Sequence, residues 1–294
     1  MPLQPLTEFE ATGTHWRIDI DASISTGSFE AIQTRVRTRV ELFEATYSRF
    51  RPDSLISHIA QSSGSFVFPK DAAALLELYL QLYRLTEGAF TPLIGQVLVD
   101  AGYDASYSLI PKTLTPPPRW EEAMSYDETS STLTTSKPIQ LDFGGAGKGY
   151  IVDLVGLELE ALGIHSYTVD AGGDIRHRTS HHEPIRVGLE HPQDPTLAIG
   201  VATLGNGSIC GSSGNRRRWD RFHHTINPHT LSSPQDILAI WTTADITLLA
   251  DALTTCLFFV KPEILRAEFN FEYLIVYADL SIQKSPQFPA EMFG

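Results

Sequence analysis

The order of helical and extended segments along this 294-residue chain predicts an α+β fold. Amphipathic helices and strands are mixed without the strict strand–helix–strand alternation of a doubly wound sheet. No repeat of fixed period and no low-complexity tract interrupts the pattern. With 42% hydrophobic residues, the chain can bury a substantial core, either as one large domain or as two closely packed lobes.

The first part of the chain predicts one strand and two helices. Residues 8–20 alternate weakly around a glycine and indicate a strand. Apolar residues recur every three or four positions over 28–47 and again over 71–87, as in amphipathic helices. The segment 108–120 contains four prolines, three of them consecutive, and is expected to be an extended connection.

The middle of the chain gives the clearest unit. Residues 139–143 predict a short strand, the glycine-rich run 144–149 follows it, and a helix then continues to Gly163. A strand at 167–169 leads into the turn 171–174. The remaining predicted elements are strands near 184–190 and 197–202, a helix over 246–260, a strand over 222–226 and a last strand over 272–278.

The charge balance limits the class of ligand. A formal net charge of −13 argues against a nucleic-acid partner, because such proteins neutralise phosphates with a basic surface. An anionic ligand would therefore need local help from backbone amides, a few cations or a metal ion.

Compartment and membrane association can also be predicted. The only cysteines, Cys210 and Cys256, are too few for a disulfide framework and are expected to be buried free thiols. Residues 1–14 contain neither a secretory signal pattern nor a lipoprotein cysteine, and no apolar window is long enough for a membrane span. We therefore expect a cytoplasmic protein.

The glycine-rich run is a generic site for an anion, because small residues between a strand and a helix leave backbone amides exposed. It matches no standard nucleotide motif: the P-loop pattern requires glycine where Asp142 stands and a hydroxyl where Gly149 stands. The dinucleotide pattern fails at Tyr150. The run is equally consistent with a tight turn and with a phosphate-binding loop, and Lys148 modestly favours the phosphate-binding loop. The pair Gly172–Gly173 is more typical of a turn alone.

One helix carries two hard oxygen ligands. Asp251 and Thr255 are four residues apart, so they share a helix face, and with carbonyl or phosphate oxygens they could complete a site for Mg²⁺. On spacing alone the simpler alternative is a solvated Asp251, with Thr255 bonded to its own helix.

A basic run at 216–218 precedes three histidines, His223, His224 and His229. A solvated loop and a phosphate contact are equally consistent with this cluster. Zinc binding is disfavoured, because no cysteine or carboxylate completes a tetrahedral set at a suitable spacing.

Six segments taken in order resemble the motifs of the ApbE family. They are 142–153 (DFGGAGKGYIVD), 172–175 (GGDI), 187–192 (VGLEHP), 212–214 (SSG), 224–231 (HTINPHTL) and 250–255 (ADALTT). Shorter similarities at 13–14, 48–54, 88–90 and 285–288 extend the resemblance to nearly the whole chain. The chain departs from the family pattern at Thr12, Ala60, Thr91, Asn227 and Leu231.

This resemblance implies a single domain over 1–294, with mixed or antiparallel sheets and packed helices in two closely associated lobes around a flavin cleft. It implies an FAD:protein FMN transferase, which cleaves FAD, attaches FMN to a threonine or serine of an acceptor flavoprotein and releases AMP. It also implies Mg²⁺ held by Asp251, Thr255 and the carbonyl of Gly147. Such chemistry depends mainly on positioning and charge neutralisation.

The resemblance further implies which residues contact FAD. These are Gly13, Thr14, Phe90, Lys148, Asp153, Gly172, Gly173, Asp174, Ser213, Gly214, Arg216 and Thr230. His224 stands at the family's histidine position, and an imidazole suits proton transfer near neutral pH. Two alternatives use the same residues: an FAD pyrophosphatase, in which water replaces the acceptor, and a flavin-binding protein without catalysis.

Overall fold

A computed structural model describes residues 3–21, 23–181, 183–215 and 217–293, and it confirms the α+β class. The strands within these residues are β1 (Leu3–Ala11), β2 (Thr14–Asp21), β3 (Gly64–Val67), β4 (Met124–Asp127), β5 (Thr132–Thr135), β6 (Tyr167–Ala171), β7 (Asp174–Arg178), β8 (Ile185–His191), β9 (Asp194–Leu204), β10 (Gly207–Ser213), β11 (Arg218–Trp219), β12 (Phe222–His223), β13 (Ile237–Ala244), β14 (Glu272–Tyr277), β15 (Ile282–Lys284) and β16 (Ala290–Met292).

The same residues form α-helices α1 (Phe29–Tyr47), α2 (Leu55–Ile59), α3 (Ala72–Leu85), α4 (Gly95–Asp100), α5 (Trp120–Ala123), α6 (Gly147–Ala161), α7 (Thr247–Cys256) and α8 (Pro262–Arg266). Short 3₁₀ turns lie at Thr26–Ser28 and Pro92–Ile94. None of these helices is long and apolar enough to cross a bilayer.

An eight-stranded antiparallel sheet forms the centre of the molecule, in the order β1-β2-β6-β7-β10-β13-β14-β15. Both of its faces are buried. In β14, Tyr273 and Ile275 belong to one apolar cluster, whereas Leu274 and Val276 belong to another. This alternation follows from the two-residue period of a strand.

Different elements cover the two faces. Helices α6 and α7 pack against each other; α6 contacts β6 and β7, and α7 contacts β10 and β13. Residues of the three-stranded sheet β16-β9-β8 pack in the cluster on the opposite face. A small sheet, β3-β5-β4, joins the main core through Leu133, while α4 shares a third cluster with Trp219 and Phe222.

Several predicted elements are confirmed, and three need correction. The helices predicted at 28–47 and 71–87 are α1 and α3, and no helix or strand forms in the proline-rich connection before Trp120. Residues 8–20 form parts of two strands joined by a tight turn, rather than one strand. Residues 139–143 form no ladder; instead, the Ile139 amide donates to the Ile59 carbonyl at the end of α2, and the Asp142 amide donates to the Pro92 carbonyl in a 3₁₀ turn.

The strand predicted at 222–226 is also shorter than expected. Only Phe222–His223 pairs, with β11. His223 then bonds to Ser233 and Pro234, so side-chain contacts replace the ladder beyond this point.

Two hairpin turns lie side by side at one edge of the cleft described below. Thr12 and Gly13 join β1 to β2, and Gly172 and Gly173 join β6 to β7; all four residues have positive φ. Two-residue loops of this kind match the strand twist and favour glycine. Because β2 pairs with β6, the turns are adjacent, and a Cβ atom on Gly172 would overlap the Thr14 hydroxyl.

This contact predicts unequal costs for two neighbouring substitutions. Gly173→Ala adds a methyl group into open space, so only its positive φ opposes it, at about 1–2 kcal/mol. Gly172→Ala has the same φ penalty and also displaces Thr14, which adds roughly 1–3 kcal/mol. Urea unfolding of both variants measures the difference; equal losses of unfolding free energy would show that Gly172 is kept for its backbone alone.

Candidate active site

A cleft of about 450 Å³ opens beside the glycine-rich run, within the size range of small-molecule sites. Its walls come from the two hairpin turns, the ends of α1 and α6, one face of α7 and the segment around His224. Aromatic rings line one part of the cleft, including Phe50, Tyr103 and Tyr107. Lys148 and Asp251 line another part, so the cleft offers both apolar and charged surfaces.

The approach of α6 to α7 brings the charged side chains together. Gly149 leaves room for α7, because a Cβ atom there would overlap the Thr247 carbonyl and lie 2.7 Å from Cβ of Asp251. The Gly149 amide donates to Oδ2 of Asp251 at 2.8 Å. Asp153 accepts hydrogen bonds from the Thr247 and Leu248 amides at 3.0 and 2.8 Å, so α6 supplies the N-terminal cap of α7.

Asp251 is a buried carboxylate with only 4% of its surface exposed. Burial, with a further contribution from the negative charge of Asp174, raises the pKa of Asp251 to about 8, although Lys148 opposes the shift. The simpler alternative on spacing alone, a solvated Asp251, is therefore wrong. Because the ionised form is costly here, Asp251 creates a site that favours a bound cation.

Lys148 is shared between two acidic groups. Its ammonium donates to Oδ2 of Asp174, while Oδ1 of Asp174 is buried without a hydrogen-bond partner among the described residues. Burial alone would lower the pKa of Lys148, but Asp174 and Asp251 outweigh it and hold this pKa above its ordinary value. If both carboxylates are ionised, the group carries a net charge of −1.

The oxygen atoms around Asp251 suit a hard divalent cation such as Mg²⁺. Thr255 lies one turn away, and its hydroxyl donates to the Gly145 carbonyl at 3.2 Å. Gly147, whose carbonyl the family resemblance implies as a further ligand, lines the same cleft. No group of three or more histidine, cysteine or acidic side chains suited to a metal occurs in the described residues, so carbonyl and substrate oxygens would have to complete the set.

His223 and His224 have different environments. His223 is 2% exposed; its Nε2 lies 2.8 Å from the Pro234 carbonyl, and its Nδ1 accepts from the Thr225 amide. His224 instead lines the cleft, and its Nδ1 is buried with no partner in the described part of the chain. Burial, then the charges of Arg217, His223 and Lys148, lower the pKa of His224 to about 3. Its imidazole is therefore neutral at physiological pH and able to accept a proton.

The structure brings only part of the expected FAD-contacting set to the cleft. The cleft-lining members are Gly13, Thr14, Phe90, Lys148, Gly172 and Ser213. The members outside its lining are Asp153, Gly173, Asp174, Gly214 and Thr230, and Arg216 lies outside the described residues. Asp153 caps α7 and pairs with Arg176, and Asp174 pairs with Lys148, so both act on the cleft through neighbouring groups.

Arg49 lines the cleft and belongs to the matching segment 48–54, but it is not among the expected FAD contacts. It pairs with Asp142, and Asp142 accepts from the Gly144 amide at 2.7 Å, which ties the glycine-rich run to the end of α1. The guanidinium also lies 4.2 Å from the ring centre of Phe50 and 4.8 Å from that of Tyr103. The adjacent Arg49 and Phe50 were the available signal, but the distant partners Asp142 and Tyr103 could not be inferred from spacing.

Two of the departures from the family pattern, Asn227 and Thr91, have local explanations. Asn227 keeps the loop closed, because its Oδ1 accepts from the His229 and Thr230 amides at 2.8 and 3.3 Å. Thr91 caps the 3₁₀ turn by accepting from the Leu93 amide. Thr12 and Leu231 both have positive φ, at 51° and 52°, where non-glycine residues are uncommon. Ala60 follows the last residue of α2, and its amide donates to the Ile56 carbonyl; nothing in the structure explains alanine at this position.

Fold and site together define the class: an α+β protein whose cleft combines aromatic walls, a glycine-rich helix start and a buried carboxylate suited to a cation. The sequence model of the ApbE family matches residues 12–273. The chain therefore belongs to the ApbE family.

Relatives and solved structures agree with this assignment. An FAD:protein FMN transferase of Rhodobacter capsulatus is 29% identical over 208 residues, covering 66% of this chain and 39% of that protein. One from Haemophilus influenzae is 26% identical over 268 residues, covering 84% and 78%. In fold, the chain is similar to the flavin transferase ApbE from Vibrio cholerae (TM-score 0.79, 21% identity, 98% and 99% coverage) and to the ApbE protein from Thermotoga maritima (TM-score 0.83, 21% identity, 99% and 100% coverage).

The raised pKa of Asp251 predicts that its charge destabilises the metal-free fold. The folded state retains a proton here between about pH 4 and pH 8 that the unfolded state releases, so the free energy of unfolding falls as pH rises through this range. Asp251→Asn removes the penalty. In metal-free buffer we expect this variant to match the wild type near pH 4 and to exceed it by roughly 1–3 kcal/mol at pH 7–8.

Denaturant unfolding across this pH range measures the effect. The exposed Asp236→Asn substitution is the matched control and should leave the pH slope unchanged. Identical slopes for the wild type and Asp251→Asn would contradict the assignment of a costly buried charge.

Proposed function

We propose that this chain is a Mg²⁺-dependent FAD:protein FMN transferase. In the proposed reaction, a threonine or serine hydroxyl oxygen of an acceptor flavoprotein attacks the phosphorus on the FMN side of FAD. The new phosphoester bond forms as the bond between that phosphorus and the AMP oxygen breaks. AMP leaves, and the hydroxyl proton passes to a base. The acidic character of the chain makes local charge neutralisation necessary for this anionic substrate.

The observation that carries the proposal is Asp251, buried in the cleft of an ApbE-family chain and raised in pKa beside Thr255. An apolar residue would suit the core better at this position, so a costly acid supports a functional role. Asp251, Thr255 and the carbonyl of Gly147 are the residues proposed to hold Mg²⁺. When bound, the ion supplies positive charge beside the pyrophosphate oxygens.

Lys148 and the start of α6 complete the proposed pyrophosphate site. The ammonium remains charged because its pKa is held above the ordinary value, and it borders the cleft while paired with Asp174. Amides at the start of a helix favour anions. In this arrangement Asp174 keeps the ammonium in place, and Asp153 keeps α7 against α6. Both are therefore proposed as positioning residues rather than FAD contacts.

His224 is the proposed base. Its neutral imidazole can accept the hydroxyl proton, although a pKa of about 3 in the empty cleft makes it a weak base. Burial and the positive charges of Arg217 and Lys148 contribute to this low value, and an anionic substrate would offset those charges and raise the pKa. We therefore expect substrate binding itself to strengthen the base.

A single incubation distinguishes this proposal from its alternatives. The chain is mixed with FAD and Mg²⁺, with and without a candidate acceptor flavoprotein, and small-molecule products and intact acceptor mass are analysed. The proposal predicts AMP release coupled to an acceptor mass gain equal to FMN minus water. FMN and AMP without an acceptor mass gain would identify a pyrophosphatase, and unchanged FAD retained by the chain would identify a binding protein. Absence of both binding and turnover would refute every flavin role.

The histidine cluster provides a residue-level prediction. His224→Ala should lower turnover on the order of 10²–10⁴-fold with little change in FAD affinity, because a base acts in the chemical step. The pH profile of kcat/KM, which reports the free enzyme, should show no His224 titration near pH 6.5, since burial and nearby positive charges lower the pKa of this imidazole to about 3. Steady-state kinetics and FAD binding together measure both effects.

His229→Ala is the matched control, because His229 is exposed and absent from the cleft lining. His223→Ala is unsuitable as a silent control, since this ring is buried and hydrogen-bonded. A His224→Ala enzyme with wild-type turnover would eliminate this histidine as the base.

A further inference from the structure

A short loop forms one lip of the cleft, at residues 102–110. Tyr107 lies on this lip and lines the cleft, yet 53% of its surface is exposed. Its ring is nearly parallel to that of Phe50, with 5.2 Å between centroids and 10° between planes. It also meets the edge of Tyr103 at 5.5 Å. A large ring is thus presented to the cleft with part of its surface uncovered.

The lip holds Tyr107 in an unfavourable backbone conformation. Tyr107 has φ of 51°, in the left-handed region that aromatic residues seldom adopt. The Asp104 carboxylate accepts from the amide and hydroxyl of Ser106 at 2.9 and 2.7 Å and from those of Ser108 at 3.1 and 2.5 Å. These bonds fix the residues on either side of Tyr107, so the ring is pre-positioned rather than mobile.

At the end of this loop the chain turns back tightly onto Gly102. The Leu109 amide donates to the Gly102 carbonyl at 2.8 Å, and a Cβ atom on Gly102 would lie 2.5 Å from the Ile110 amide nitrogen. Only glycine fits where residue 102 passes this close to the backbone of residues 109–110. Tyr107 belongs to none of the buried apolar clusters. Packing in the core therefore explains neither its strained backbone nor its exposed ring. A ligand that covers the ring would account for both features.

We propose that Tyr107 is a stacking residue for one of the two flat rings of the flavin dinucleotide, and that Asp104 is its positioning residue. This inference rests on the proposed use of FAD. The pyrophosphate site proposed at Lys148 and Asp251 lies in the same cleft, and a ring attached to either phosphate can extend from it towards the aromatic wall. Stacking on an aromatic side chain is tolerant of ring type, so isoalloxazine and adenine share the required chemistry.

Binding measurements on three ligands test the proposal. Dissociation constants for FAD, FMN and ADP are determined with Mg²⁺ present for the wild type, Tyr107→Leu and Tyr107→Phe. We expect Tyr107→Leu to weaken FAD binding roughly 5- to 100-fold, the usual effect of losing one aromatic stacking contact. Tyr107→Phe, which keeps a ring, should stay within about twofold of the wild type. A matching loss for FMN identifies isoalloxazine as the stacked ring, and a matching loss for ADP identifies adenine.

Two further variants separate stacking from general disruption. Phe293→Leu removes an exposed ring away from the cleft and should leave all three affinities unchanged. Asp104→Ala should weaken the same ligand as Tyr107→Leu and add little in the double variant, because both act through one ring. Thermal unfolding verifies that each variant remains folded.

The outcomes are distinct. Tyr107→Leu with wild-type affinity for FAD, FMN and ADP would overturn the stacking role while leaving the transferase proposal intact. Additive losses for Asp104→Ala and Tyr107→Leu would overturn the positioning role of Asp104. If the wild type bound none of the three ligands, the proposed function would fail, and the stacking proposal with it.

Discussion

The close packing of α6 on α7 is the constraint on which the site depends. Gly149 allows the two helices to approach, and the same residue donates its amide to Asp251. One turn further along α6, Asp153 caps the first two amides of α7, so the helix register is fixed at two points. With this register, Asp251 and Thr255 face the glycine-rich run rather than solvent or the sheet. A change at either contact would move the proposed cation ligands together.

The unfavourable free energy of this packing comes mainly from one buried group of charges, formed by Asp251, Asp174 and Lys148. Burial, together with the negative charge of Asp174, raises the pKa of Asp251 although Lys148 opposes the shift, so an added positive charge beside Asp251 would favour its ionised form. Nearby, Arg49 and Asp142 connect the glycine-rich run to the aromatic wall, and their charges balance. The excess of negative charge near Asp251 therefore favours a cation there, and a bound cation would in turn favour an anionic substrate. The aromatic part of the cleft suits the flat part of a ligand.

The sequence predicts long amphipathic helices and the order of motifs better than it predicts which residues contact each other in the fold. Helices α1 and α3 follow from their apolar spacing. Residues 139–143 have strand composition but pair with no strand of the described chain, because their amides bond to the end of α2 and to a 3₁₀ turn. Motif order indicates that Asp153 matters, but only the packing of α7 explains its hydrogen bonds. Arg49 and Tyr107 have no informative spacing, since their significance arises from contacts with residues far along the chain or from loop geometry.

Crystallography with an ion that can replace Mg²⁺ and scatters anomalously gives the most direct test of the proposed cation site. The question is whether Asp251 and Thr255 hold this ion at the pyrophosphate of bound FAD. Crystals of the chain with FAD and Mn²⁺ allow the ion to be located from its anomalous scattering. This cation site predicts a peak bonded to a carboxylate oxygen of Asp251 and to the hydroxyl of Thr255, beside the dinucleotide phosphates. Flavin bound in the cleft with the ion elsewhere, or with no ion near Asp251, would contradict it.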